Sequence, residues 1–203
     1  MSPLPIVAKP KTWQQRIRES RRGTLLVLAV TAAVVIGGAY LIDRPTATAA
    51  GLQAIALSGP TDGPPPELGS PAQDFTAATV DGEKVSLSSY KGRAVWLTFG
   101  ATWCAACVAE APDIQAASVK FKDRAVVLAI FIREDPATVR DYANRVGLTY
   151  PNVADPDTRI ASAYRVYGIP AHFFIDKSGI LRAIKTGGLS PEQMAAALTD
   201  ISR

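Results

Sequence analysis

Two cysteines, the only ones in a chain of 203 residues, stand as Cys104-Ala105-Ala106-Cys107. Chance placement would set two cysteines three apart about once in a hundred chains of this length, so the spacing asks for a reason. Two cysteines cannot staple a disulfide-scaffolded mini-protein, and cannot alone complete a four-ligand zinc site. Just before them, residues 94–99 form an unbroken apolar run between Gly92 and Gly100, which suits a strand buried on both faces. Just after them a helix is expected from 104 to about 122, kinked at Pro112. The cysteines thus fall where strand hands over to helix. The free amides and dipole at that helix end favour an anion, which makes Cys104 an exposed, readily ionised nucleophile. Cys107 lies one turn further in, near enough to close a small disulfide loop and to resolve a mixed disulfide formed at Cys104.

The pattern around this junction alternates short strands with helices. Residues 75–80 and 85–87 flank Asp81-Gly82 and read as a hairpin. Residues 125–132 are a second buried strand. Asp135 caps a helix over 136–146 that stops at Gly147, and Asp157 caps a short helix reaching Tyr164. Residues 172–175 and 180–184 pair across Asp176-Lys177-Ser178-Gly179, and Ser190 with Pro191 opens a last helix to 201. This succession predicts an α/β domain with a central mixed β-sheet flanked by helices on both faces, beginning with a β-hairpin.

Ahead of the domain, residues 24–42 carry no charge over 19 positions, about the thickness of a bilayer's hydrocarbon core at 1.5 Å per residue. They read as a transmembrane signal-anchor helix, although Ala47-Thr48-Ala49 has the small-x-small form of a cleavage site. Residues 1–23 form a basic tail that stays in the cytoplasm, which places the rest of the chain outside a bacterial cytoplasmic membrane. Residues 43–70 are rich in Pro, Gly and Ala, show no apolar period, and read as a semi-extended linker before the folded residues 71–203. The net charge of +4 divides into +5 for residues 1–42, −2 for 43–67 and +1 for the remainder, so the domain has no basic excess for a nucleic acid.

The neighbours of the cysteines carry a resemblance. Ser70-Pro71-Ala72-Gln73-Asp74-Phe75, Asp81-Gly82 with Leu87 and Lys91-Gly92, Thr102-Trp103-Cys104-Ala105-Ala106-Cys107 with Glu110 and Pro112, and Tyr167-Gly168-Ile169-Pro170 resemble the TlpA/ResA-like family of membrane-anchored thioredoxin-like thiol-disulfide oxidoreductases, including those of cytochrome c maturation. The resemblance spans residues 68–203. It implies a thioredoxin-like fold, a redox-active disulfide Cys104–Cys107 as the only redox group, with no further cofactor and no metal, and a cis peptide at Ile169-Pro170 beside Cys104. It implies that Trp103 and Ile169 contact substrate. Glu110, three residues beyond Cys107, is close to one helical turn away and so within reach for proton exchange with it, a role the resemblance supports. Thioredoxin itself has a buried acid at the place matched here by Thr98. The implied partners are a disulfide-containing exported protein such as apocytochrome c and a membrane thiol electron transporter, with the bilayer held through residues 24–42.

Two departures bear on direction. Phe99-Gly100 replaces the commoner Phe-Trp, and Ala105-Ala106 supplies no cation to hold Cys104 as a strongly stabilised thiolate, which favours a reductant over an oxidant. An oxidant of the extracytoplasmic space stays open. A copper carrier of the SCO type would want wider cysteine spacing and a partner histidine, and the only histidine is His172. A peroxidase of the peroxiredoxin type would need Thr or Ser three residues before its cysteine and Pro four further back, where this chain has Ala101 and Leu97. A binding module without redox turnover has no use for a CxxC at a helix start in an oxidising compartment.

Overall fold

The computed structural model describes residues 12, 13, 25, 26, 28–36, 51–59 and 63–203. Its strands are β1 (Gln53–Ala54), β2 (Thr76–Ala78), β3 (Lys84–Ser86), β4 (Ala94–Gly100), β5 (Ala125–Ile132), β6 (Asn152–Asp155), β7 (Gly168–Ile169), β8 (Ala171–Ile175) and β9 (Leu181–Thr186). The helices are α1 (Ala105–Phe121), α2 (Pro136–Val146), α3 (Arg159–Ala163) and α4 (Pro191–Ile201), with one short 3-10 helix at Leu87–Tyr90. The apolar runs at 94–99 and 125–132 became neighbouring parallel strands in a five-stranded sheet of order β6-β5-β4-β8-β9. β8 runs antiparallel to β4 and β9 antiparallel to β8, so the sheet is mixed.

Both faces of β4 are covered, which is why its sequence does not alternate. Val95, Leu97 and Phe99 enter one core with Ile160, Ala161 and Tyr164 of and beside α3. Ala94 and Trp96 enter the other with Ile114 of α1, Val139 of α2 and Leu198 of α4. β2 and β3 pair as the expected hairpin. Asp135 accepts the amides of Ala137 and Thr138, Gly147 ends α2 at a φ of 77°, and Ser190 with Gln193 forms a capping box on α4. α1 continues through Pro112.

The cap of α3 needs correction. The residue ahead of that helix is Thr158, and the amides of Ile160 and Ala161 are met at 3.2 and 2.9 Å by the carboxylate of Asp155, which lies at the end of β6. Asp157 was expected because it stands nearer in sequence; the register of β6 on β5, Asp155 opposite Ile132, aims the earlier carboxylate at the helix start. β6 itself was not foreseen, since four residues as mixed as Asn-Val-Ala-Asp carry no periodic signal.

The expected linker over 43–70 is also revised. Within it β1 pairs antiparallel with β7. Ile55 is buried in the core, and the amides of Ser58 and Gly59 bond to Thr158 Oγ1 at 2.8 and 3.1 Å. Leu52, Ile55 and Leu57 find partners only through the fold, which a composition rich in Ala, Gly and Pro conceals. Residues 43–50 and 60–62 lie outside the described residues. Of the expected span 24–42, residues 25, 26 and 28–36 are described and helical, and no helix among the described residues is long and apolar enough to cross a membrane.

Candidate active site

β4 ends at Gly100 and the chain turns through Ala101, Thr102 and Trp103 into α1, with Cys104 as the residue ahead of the first turn. The Cys107 amide points at Cys104 Sγ at 3.3 Å, so a helix-start donor faces the first sulfur. Cys104 and Cys107 are disulfide-bonded, their Cα atoms 5.2 Å apart. Gly100 gives the second cysteine room: a β-carbon there would stand 3.4 Å from Cys107 Cβ and 3.5 Å from its sulfur. The turn is held from across the sheet, because buried Glu134, two residues past β5, accepts both the amide of Thr102, at 2.9 Å, and its hydroxyl. Trp103, the next residue, is half exposed.

Glu110 is a buried residue of α1, not a solvated one. Its Oε2 accepts the Leu189 amide at 3.1 Å, and its Oε1 lies 3.6 Å from His172 Nε2. Burial raises its carboxyl to about 7, the Leu189 amide opposing and the nearby Asp113 charge adding to the rise. His172 sits in β8 directly opposite Thr98 in β4. Trp96 Nε1, which can only donate, reaches His172 Nδ1 at 3.3 Å, and Thr98 Oγ1 lies 3.0 Å from the same nitrogen. Nδ1 is therefore the acceptor and Nε2 carries the proton, which lies beside Glu110 without a hydrogen-bond partner among the described residues. Burial lowers His172 to about 4, so the ring is neutral. Cys107 and Glu110 line one cavity of about 30 Å³ open to the centre of a water molecule, enough for a water to bridge thiol and carboxyl.

The second wall is the Gly168-Ile169-Pro170 loop, in which the Ile169-Pro170 peptide is cis. Ala171 pairs with Phe99, so Pro170 arrives at the same end of the sheet as the cysteines. Ile169 was expected to touch substrate; its side chain is wholly buried, and its backbone pairs with Gln53. Cys104 was expected to be exposed and is buried at 2 %. Ile55 belongs to the same core cluster as Cys104, Cys107 and Ile169, and Gly51 lies against Ala106 between the cysteines, so the segment around β1 packs beside the disulfide.

The fold thus brings Cys104, Cys107, Trp103, Ile169, Pro170 and Glu110 to one end of β4 and β8. Sequence reasoning missed Glu134, and it took His172 for an isolated strand histidine. For Glu134 the only signal was its place in the charged pair Arg133-Glu134 that follows eight buried apolar residues. Thr98, which stands where thioredoxin has its acid, joins Glu110 through the His172 ring.

Residues 68–184 match the model of the AhpC/TSA family. The thiol-disulfide oxidoreductase ResA of Geobacillus kaustophilus is 36% identical over 135 residues, covering 66% of this chain and 78% of that protein. The thioredoxin-like protein YneN of Bacillus subtilis is 32% identical over 133 residues, 64% of this chain and 78% of that one. Among solved structures, a thiol:disulfide interchange protein of the thioredoxin family from Chlorobium tepidum superimposes with a TM-score of 0.61 at 28% identity, over 70% of this chain and 99% of that one.

Proposed function

Given that the chain belongs to the AhpC/TSA family, and within it to the ResA/TlpA-like thiol-disulfide oxidoreductases, we propose that it reduces disulfides in exported proteins through Cys104 and Cys107. The observation that carries this reading is the disulfide at the first turn of α1, set against the cis-proline loop and backed by a buried carboxyl whose proton affinity is near neutral.

The thiolate of Cys104 attacks one sulfur of the substrate disulfide, forming a mixed disulfide and releasing the other substrate sulfur as a thiolate, which takes a proton from solvent. The Cys107 thiol then gives its proton to Glu110, directly or through a water in the shared cavity, and attacks Cys104 Sγ. The second substrate sulfur leaves. Two electrons have passed to the substrate, and the protein is left with the Cys104–Cys107 disulfide. A carboxyl titrating near 7 suits a base that must accept a proton and release it again at neutral pH. The neutral His172 ring, bonded to Thr98 on its far side, lies against Glu110 and brings it no charge. Trp103 flanks the motif, and the backbone beside Pro170 receives the substrate. No cofactor beyond the disulfide is needed for this cycle.

The apolar residues 24–42 and the basic tail before them support a single-pass anchor in the bacterial cytoplasmic membrane, with the domain on the outer side and recharged by a membrane thiol electron transporter. An apocytochrome c, whose haem-binding cysteine pair forms a disulfide in that compartment, is the proposed substrate. Ala105-Ala106, lacking a cation, favours a potential near about −270 mV over one near about −120 mV. The test mixes the reduced protein with a disulfide-bonded CxxCH peptide: reduction should vanish in Cys104→Ser, and an unchanged rate in that variant would overturn the proposal.

A further inference from the structure

Cys104 is buried, yet the proposed reaction requires its sulfur to meet a substrate disulfide. The segment around β1 packs beside this site. β1 lies along β7 with Gln53 opposite Ile169 and Ala54 opposite Gly168, and the pairing continues from the Ile55 amide to the Tyr167 carbonyl at 2.8 Å. On one side of β1, Gly51 rests on Ala106 between the two cysteines: a β-carbon there would fall 2.7 Å from Ala106 Cβ, and its φ is +53°. Leu52 caps Gly168, where an added β-carbon would meet its side chain at 3.1 Å. On the other side, Ile55 enters the cluster of Cys104 and Ile169, and Ser58 and Gly59 are tied to Thr158.

We propose that residues 51–59 are a tethered occupant of the substrate groove, a strap that a substrate segment must displace before its disulfide meets Cys104. The inference rests on the reductase reading and adds to it the state of the resting site. Among the described residues β7 pairs with β1 alone, so lifting the strap leaves its backbone groups open to another strand. A polypeptide paired with β7 in the same register would bring the residues just ahead of its Ile169 partner to the Cys104–Cys107 loop; a substrate cysteine reaches the sulfur by leaving the course of Gly51, whose place admits no β-carbon. The strap carries glycine at that point, with no side chain and no sulfur, so it fills the groove without being consumed. Gln53 and Ala54 are exposed, and Ile55 is buried. The groove therefore accepts varied side chains opposite Ile169 and Gly168 and buries an apolar one just beyond them. A disulfide locked in folded structure cannot offer such a strand, and a tethered competitor at high effective concentration excludes weak binders.

The test compares the full-length, reduced wild type with Gln53→Pro, which removes an amide from the pairing at an exposed position, and with Gly51→Val, whose side chain collides with Ala106. Iodoacetamide should label Cys104 about tenfold faster in both variants, as expected for the loss of one or two net backbone hydrogen bonds. A synthetic peptide of residues 50–59 added to either variant should slow the labelling again. Equal labelling of wild type and both variants, or no effect of the peptide, overturns the strap. Reduction of an unfolded disulfide peptide is followed in parallel. Faster labelling with no peptide reduced keeps the strap and refutes the reductase, whereas peptide reduction at one rate in all three forms does the reverse.

Discussion

Replacing Glu110 with Gln should make the protein more stable at alkaline pH while leaving it nearly unchanged in acid. In the unfolded chain this carboxyl has its ordinary value of 4.5, and in the native state burial lifts it to about 7. Below pH 4.5 both states hold the proton and the group is neutral to stability. Between 4.5 and 7 only the native state holds it, so stability falls with each rise in pH; above 7 the loss is complete. At 1.36 kcal/mol per pH unit the full loss is about 3 kcal/mol, of which about 2.5 kcal/mol accrues between pH 5 and pH 8.5. A glutamine keeps an acceptor for the Leu189 amide and has no charge to bury. The assay is urea unfolding of the oxidised wild type and Glu110→Gln across that range. Other titrations, including the opposite one of buried His172 below its ordinary 6.5, are common to both proteins. The difference in stability should grow by about 2–3 kcal/mol towards pH 8.5. Two parallel curves, separated by a constant within about 0.5 kcal/mol, would refute the claim that Glu110 is held protonated by burial.

Asp155→Ala should lower stability by about 2–3 kcal/mol in thermal or urea unfolding, because it strips two buried amides at the start of α3 of their only acceptor side chain. Glu134→Ala should cost about 1–3 kcal/mol and, more tellingly, should speed hydrogen exchange at the Thr102 amide, whose carboxylate partner it removes; unchanged exchange there would show that the turn before Cys104 is held by other means.

Much of the domain was legible because its signals are local. The runs that became β4 and β5 are apolar throughout, Asp135 and Ser190 stand beside the amides they cap, and Asp81-Gly82 marks a turn from two residues. The cysteine pair and its place at a helix start need only the strand before it and the helix after it. A cis peptide at Ile169-Pro170 was inferred by resemblance to a family, and the geometry agrees.

What the chain determines by itself, then, is which residues can do the chemistry: two thiols three apart, one acid a turn beyond, one proline in a loop. What only the tertiary structure decides is the setting that gives them their properties. Glu110 titrates near neutrality because the β4–β8 register puts Thr98 and His172 against it and the turn before α4 closes over it. Asp155 outcompetes Asp157 because β6 aims it. Residues 51–59 look like spacer and act as a strand, since two residues of β-structure have no stability without the edge of β7 to lie on. Side-chain identity travels with the sequence; burial, and the protonation and access that follow from it, exist only once distant segments have met.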